Sequence, residues 1–132
     1  MTPGHTITTD PVTERVQVVA GGETLADSTN VVVLHETGLP DRYYFPREDV
    51  RMDLLVATDT GSHCPFKGDA VYWTAKLGGG EVDVAWSYPE PIPVREDITG
   101  LVCFFNERVD EIAVSGQVLP PVETAWSKPA GS

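Results

Sequence analysis

Apolar side chains recur at every second position along most of this chain, the spacing of half-buried strands rather than helices. Val16, Val18 and Ala20 set the pattern, Gly21-Gly22 offers a two-residue hairpin turn, and Glu23 to Asp27 returns. The run Val31, Val32, Val33 and Leu34 inside Asn30 to His35 predicts a strand buried on both faces. From Ala70 to Leu77, the residues Val71, Trp73, Ala75 and Leu77 alternate with Tyr72, Thr74 and Lys76. Gly78-Gly79-Gly80 then turns the chain into Glu81 to Ser87. The same reading puts Trp73 and Trp86 face to face across this hairpin or on one shared face of the sheet. A last pair, Leu101 to Asn106 and Val109 to Ser115, is expected to join across Asn106-Glu107-Arg108. Only Pro46 to Leu55 looks helical, with Pro46 suited to a first helical position and Glu48 and Asp49 in the first turn. Several strands, one short helix and no βα alternation predict a mainly β domain of antiparallel sheets, packed as a sandwich or a partly open barrel.

The chain of 132 residues has the size of one domain able to bury a core. Residues 1–12 and 116–132, rich in Pro and polar residues, read as a loose N-terminal end and a C-terminal tail around a single β domain at 13–115. Trp126 suggests that the tail is partly docked, on the domain or on a partner. The formal charge of -11 disfavours nucleic acid and anionic lipid as partners, although a local basic pocket could still hold a small anion. Cys64 and Cys103 lack the spacing of a zinc site or a disulfide framework, so reduced thiols and a cytoplasmic location fit best. Neither a basic-then-apolar leader nor an apolar run of membrane-spanning length is present.

Two polar constellations stand out. Glu36, Arg42 and Tyr44 share the stretch after the buried strand, where a guanidinium can grip a planar anion and a phenol adds an apolar face with a polar tip. The plain alternative there is an internal Glu36 to Arg42 ion pair. His63, Cys64 and Lys67 form the second group, in which a thiol beside an imidazole and a cation can act as a nucleophile. Its plain alternative is a buried thiol, a turn-capping imidazole and a solvated lysine. Pro89, Pro91 and Pro93 read as a rigid crossover. Phosphate-binding glycine loops, the nucleophile elbow and the HExxH zinc motif are not found, so no metal or other cofactor is implied.

The ordered segments HETGLPDRYYFPREDVRMDLL (35–55), SHCPFKG (62–68), AVYW (70–73), AWSYPEPIP (85–93) and GLVCFF (100–105) together resemble the family called domain of unknown function four-twenty-seven. Ser62 stands where Thr is usual and Phe66 where Tyr is common. The resemblance, over about residues 15 to 115, implies a tent-like β fold, two sheets leaning together over a cavity. It implies no established activity. An older label links such proteins to nucleotidyl transfer, but the paired carboxylates and Gly-Ser loop of that chemistry are not legible. The family motifs fall on Glu36, Arg42, Tyr44, His63, Cys64, Lys67 and Trp73, residues that the polar and aromatic pattern had already singled out.

The leading expectation is a small-molecule binding or sensing domain, with Glu36, Arg42, Tyr44, His63, Cys64 and Lys67 around a pocket walled by Trp73 or Trp86. One alternative is an enzyme with Cys64 as nucleophile, His63 or a spatial neighbour as base, and Lys67 or Arg42 steadying a developing anion. Another is an interaction module, and a homo-oligomer is open to it. Glu36 and Lys67 are further expected to meet, on the assumption that the strands ending at His35 and beginning at Ala70 are antiparallel neighbours.

Overall fold

The computed structural model describes residues 6–64, 67–75, 83–91 and 93–120. The triple-glycine turn and Trp126, both singled out by the sequence, lie outside these residues. Eleven strands are described: β1 (Ile7–Val12), β2 (Val16–Ala20), β3 (Glu23–Ser28), β4 (Val31–Glu36), β5 (Arg42–Phe45), β6 (Leu55–Cys64), β7 (Gly68–Ala75), β8 (Asp83–Ser87), β9 (Val102–Phe104), β10 (Glu111–Val114) and β11 (Gln117–Val118). They form two antiparallel sheets, one of seven strands in the order β1-β4-β5-β9-β8-β7-β6 and one of four in the order β11-β10-β2-β3.

The middle strands of the larger sheet are buried on both faces, which explains the unbroken apolar run at Val31 to Leu34. Its inner face packs on the small sheet: Val16, Val18 and Leu25 from the small sheet meet Phe45, Trp73, Val102 and Phe104 from the large one. Phe45 and Phe104 meet edge to face, with ring centroids 5.8 Å apart. The opposite face carries a second cluster, built on Leu34, Tyr44, Trp86, Tyr88, Cys103 and Phe105 and closed by Ile98. Ile98 ends the short 3₁₀ segment Pro93–Ile98, so the proline-rich crossover between β8 and β9 helps to cover this face.

The sheet is curled around this second cluster. β4 and β7 are separated by three intervening strands, a span of about 19 Å in a flat sheet. Even so, Lys67 immediately before β7 touches Glu36 at the end of β4, 2.6 Å apart. A flat sheet would put that span beyond the reach of the two side chains.

Four expectations change. β1 occupies part of the segment read as a loose end; it pairs with β4, and Pro11, which has no N–H to donate, is tolerated because β1 is an edge strand. Pro46 to Leu55 forms two 3₁₀ turns, Arg47–Asp49 and Met52–Leu54, because Val50 is extended and bridges to Ala26. β9 and β10 do not pair as a hairpin: β9 inserts between β5 and β8, while β10 crosses to the small sheet. The strands bearing Glu36 and following Lys67 are not neighbours, although their residues meet. Gly21 and Gly22, with φ of 61° and 80°, make the expected turn between β2 and β3.

Candidate functional site

The second cluster gathers most of the chain's chemistry, because a period of two sends alternate residues of each strand to it. β4 contributes Leu34 and Glu36 to this face, and β5 contributes Arg42 and Tyr44. β8 contributes Trp86, Tyr88 follows it, and β9 contributes Cys103 with Phe105 beyond. Tyr72 of β7 stacks on Phe105, and Cys64 at the end of β6 packs against the same cluster.

Arg42 is buried at the centre of this face. Its guanidinium donates to both carboxylate oxygens of Glu107, at 2.6 and 3.1 Å, and to Asn106 Oδ1 at 3.2 Å. The two side chains are only 6 % and 1 % exposed. The cation also lies over the rings of Trp86 and Phe105, at 5.3 and 5.8 Å from their centroids. Burial is the largest single influence and opposes its charge, but the Glu107 hydrogen bonds together with the charges of Cys103, Glu107 and Tyr44 outweigh it, and the pKa ends above its ordinary value. The expected Glu36 to Arg42 pair is therefore replaced by two separate pairs. Glu36 pairs with Lys67, with side chains 7 % and 9 % exposed.

Burial governs the remaining titratable groups on this face. The Tyr44 phenol, which accepts from Trp86 Nε1 at 3.4 Å, is held well above its ordinary pKa by burial. Tyr88 is raised by burial too, with Cys64, Tyr72, Cys103 and Glu36 near enough to add to the effect. Burial pushes the Cys103 thiol up to about 12, while the charges of Arg42 and Lys67 act in the opposite direction. At neutral pH these phenols and the Cys103 thiol are neutral hydrogen-bonding and packing groups.

Six of the eight residues singled out by the sequence come together here: Glu36, Arg42, Tyr44, Cys64, Lys67 and Trp86. Two do not. Trp73 points into the core between the sheets, under Arg47 at 5.5 Å, because Tyr72, not Trp73, lies opposite Trp86 in the β7–β8 register. His63 is exposed, with Nδ1 2.7 Å from Asp69 Oδ1. It precedes Cys64 in an extended strand, so the two side chains project to opposite faces and adjacency in sequence does not make a thiol–imidazole dyad. Glu107, Asn106, Tyr88, Cys103 and Phe105 were missed. Counting by two from Trp86 reaches Tyr88, and along GLVCFF it reaches Cys103 and Phe105. Glu107 carries no such signal, since it looks like a turn residue and meets Arg42 across 65 positions.

A cleft of about 240 Å³ is lined by Asn106 and Glu107, the partners of Arg42, together with Asp110, Glu111, Ile112 and Leu119 among others. Among the described residues no group of three or more His, Cys, Asp or Glu side chains could hold a metal ion, and no helix is long and apolar enough to cross a membrane.

The model of a family described as Domain of unknown function (DUF427) matches residues 8–115. No curated protein matches the chain.

Proposed function

We propose, from the premise that this chain belongs to the DUF427 family, that it is a small-molecule binding or sensing domain whose ligand enters the curled face of the large sheet. The observation that carries this reading is the pair of buried ion pairs, Arg42–Glu107 and Lys67–Glu36, set beside an aromatic floor of Trp86, Tyr88 and Phe105. Ion pairs are a poor way to stabilise a core, since replacing a buried pair by well-packed apolar residues is often neutral or stabilising by about 1–4 kcal/mol. The apolar core between the sheets is available to hold the fold. Charges kept against that cost, among aromatic rings, are the ingredients of an oriented polar pocket.

The acidic balance supports a small-molecule partner rather than a nucleic acid or an anionic membrane, and two cysteines without a disulfide support a cytoplasmic setting. A thermal-shift screen of a metabolite library against the whole chain tests the reading. A ligand at a hundred times its Kd raises stability by roughly 2.7 kcal/mol. The expected result is at least one compound that raises Tm in wild type and fails to do so after Trp86→Ala or Tyr88→Phe. A library that never shifts the melt refutes the reading.

A further inference from the structure

β6, the longest of the described strands, forms one edge of the larger sheet, so among the described residues it has a neighbouring strand, β7, on one side only. The outer backbone groups of such an edge are a template for another strand, which proteins usually blunt with lysine, proline or a bulge. The opposite edge follows that practice, since β1 carries Pro11. Leu55–Cys64 contains no Lys, Arg or Pro, and the run from Asp59 to His63 is exposed throughout. The register of β6 against β7 shifts between Ala57 and Gly61, so Asp59 and Thr60 have no counterpart in that ladder.

Gly61, in the middle of this run, is not required by the chain itself. Its φ is not positive, and a Cβ added there would meet only the Ala70 carbonyl oxygen at 4.0 Å, an ordinary contact. Glycine inside a strand weakens it and often marks a close approach of another backbone. The residues around Gly61 say which backbone fits. Two antiparallel copies of one strand obey a two-fold axis only if a residue faces its own copy, because paired side chains must share a face. With Gly61 on the axis, Thr60 faces the partner's Ser62 and Asp59 faces the partner's His63, and each pair occurs twice. Hydroxyl pairs and opposite charges are favourable cross-strand combinations, whereas an axis through Asp59 would set two carboxylates against each other. His63 already has Nδ1 2.7 Å from Asp69 Oδ1, while its Nε2 is bonded to none of the described residues. An imidazole donating from both nitrogens, to Asp69 and to the partner's Asp59, is the cation that this pairing needs.

We infer that the partner of the β6 edge is a second copy of this chain, and that the two continue their larger sheets through antiparallel β6 strands centred on Gly61. This dimer goes beyond the binding reading and does not depend on it. The net charge of -11 on each copy opposes association and the contact is small, so the dimer is a weak one. Salt of physiological strength screens that general repulsion beyond about 8 Å. The register is then decided by the contacts from strand to strand.

Sedimentation equilibrium of the full chain, wild type and two charge variants, is the test. Wild type should dimerise reversibly, and a chain that stays monomeric up to about 1 mM overturns the inference. Asp59→Lys sets a cation against the partner's His63, and His63→Asp sets a carboxylate against the partner's Asp59. Each variant alone should dimerise about tenfold more weakly or worse. Mixed in equal amounts, the two should form a heterodimer that recovers most of the lost affinity, because both contacts then join opposite charges again. Single variants that dimerise as wild type does, or a mixture that stays apart, overturn the inference. Both positions are exposed, and circular dichroism checks the fold of each variant. If either fails to fold, wild type decides alone: a sample of mixed isotope labelling should show NOEs between Gly61 of one copy and Gly61 of the other, and a dimer without them contradicts this register.

Discussion

The Lys67 ammonium lies 2.6 Å from the Glu36 carboxylate although three strands separate β7 from β4 in the sheet. The contact exists because the sheet curls around the Trp86 and Phe105 cluster, so the pair reports the curvature of the fold as well as the charge of the site. Lys67→Met leaves Glu36 buried without this cation and should destabilise the protein by about 3–5 kcal/mol. Adding Glu36→Gln to it should restore more than half of that loss, because the two changes act on one interaction. Urea unfolding of the two single variants and the double variant measures both terms. Additive losses would show that the contact contributes no coupling.

Arg42 combines a two-pronged hydrogen bond with stacking on two rings, and a lysine supplies neither. Arg42→Lys should therefore lower unfolding stability by roughly 1–3 kcal/mol despite keeping the charge. Loss of the rigid contact should also broaden the near-ultraviolet circular dichroism of the Trp86 and Tyr44 cluster. An unchanged denaturation midpoint and spectrum would contradict the assigned role.

His35 ties the edge strand to the sheet, with Nε2 3.2 Å from Asp10 on β1 and Nδ1 2.8 Å from Asp41 before β5. Its pKa is raised, chiefly by the Asp41 hydrogen bond, with burial acting in the opposite direction and Asp10 adding to the rise. A raised folded-state pKa means that the stabilisation is fully present below the unfolded value near 6.5 and is lost as pH rises through the folded value. The ring is 40 % exposed, so solvent screens the effect. Amide hydrogen exchange corrected for intrinsic rates should show β1 better protected at pH 6 than at pH 8, and His35→Gln should remove that difference. Equal protection at both pH values in wild type would exclude the clamp.

The two thiols should separate cleanly under a thiol-specific reagent. Cys103 is fully buried, and burial raises its pKa to about 12, whereas Cys64 is half-buried at the end of an edge strand. Native protein at pH 8 should label at Cys64 first, with Cys103 reacting only at the rate of unfolding. Labelling of Cys103 as fast as Cys64 would show that the curled face opens far more readily than its packing suggests.

Much of the fold was legible because alternation is a direct imprint of a sheet with buried faces: the Val31 to Leu34 run, the Gly21-Gly22 turn and the β7–β8 pairing all follow from it. The meeting of Glu36 with Lys67 was also legible, but through a wrong strand order. Both residues end up at the rim of one curled sheet, so curvature supplied the contact that direct pairing was expected to supply. Trp73 shows where such reading stops. Whether it shares a face with Trp86 depends on one residue of register, and alternation alone does not fix register across a glycine turn. Glu107 was illegible for a different reason: its place opposite Arg42 is set by β9 inserting between β5 and β8, a long-range choice that no local pattern records.

The central claim is that ligand binds on the Trp86 face of the large sheet and not on the Trp73 face. Following the indole N–H resonances of both residues by NMR during titration with a compound from the screen tests it most directly, with single Trp→Phe variants for assignment. The Trp86 resonance, whose N–H donates to Tyr44 in the free protein, should shift progressively to saturation while that of Trp73 stays in place. Movement of the Trp73 resonance with Trp86 unchanged would contradict the account.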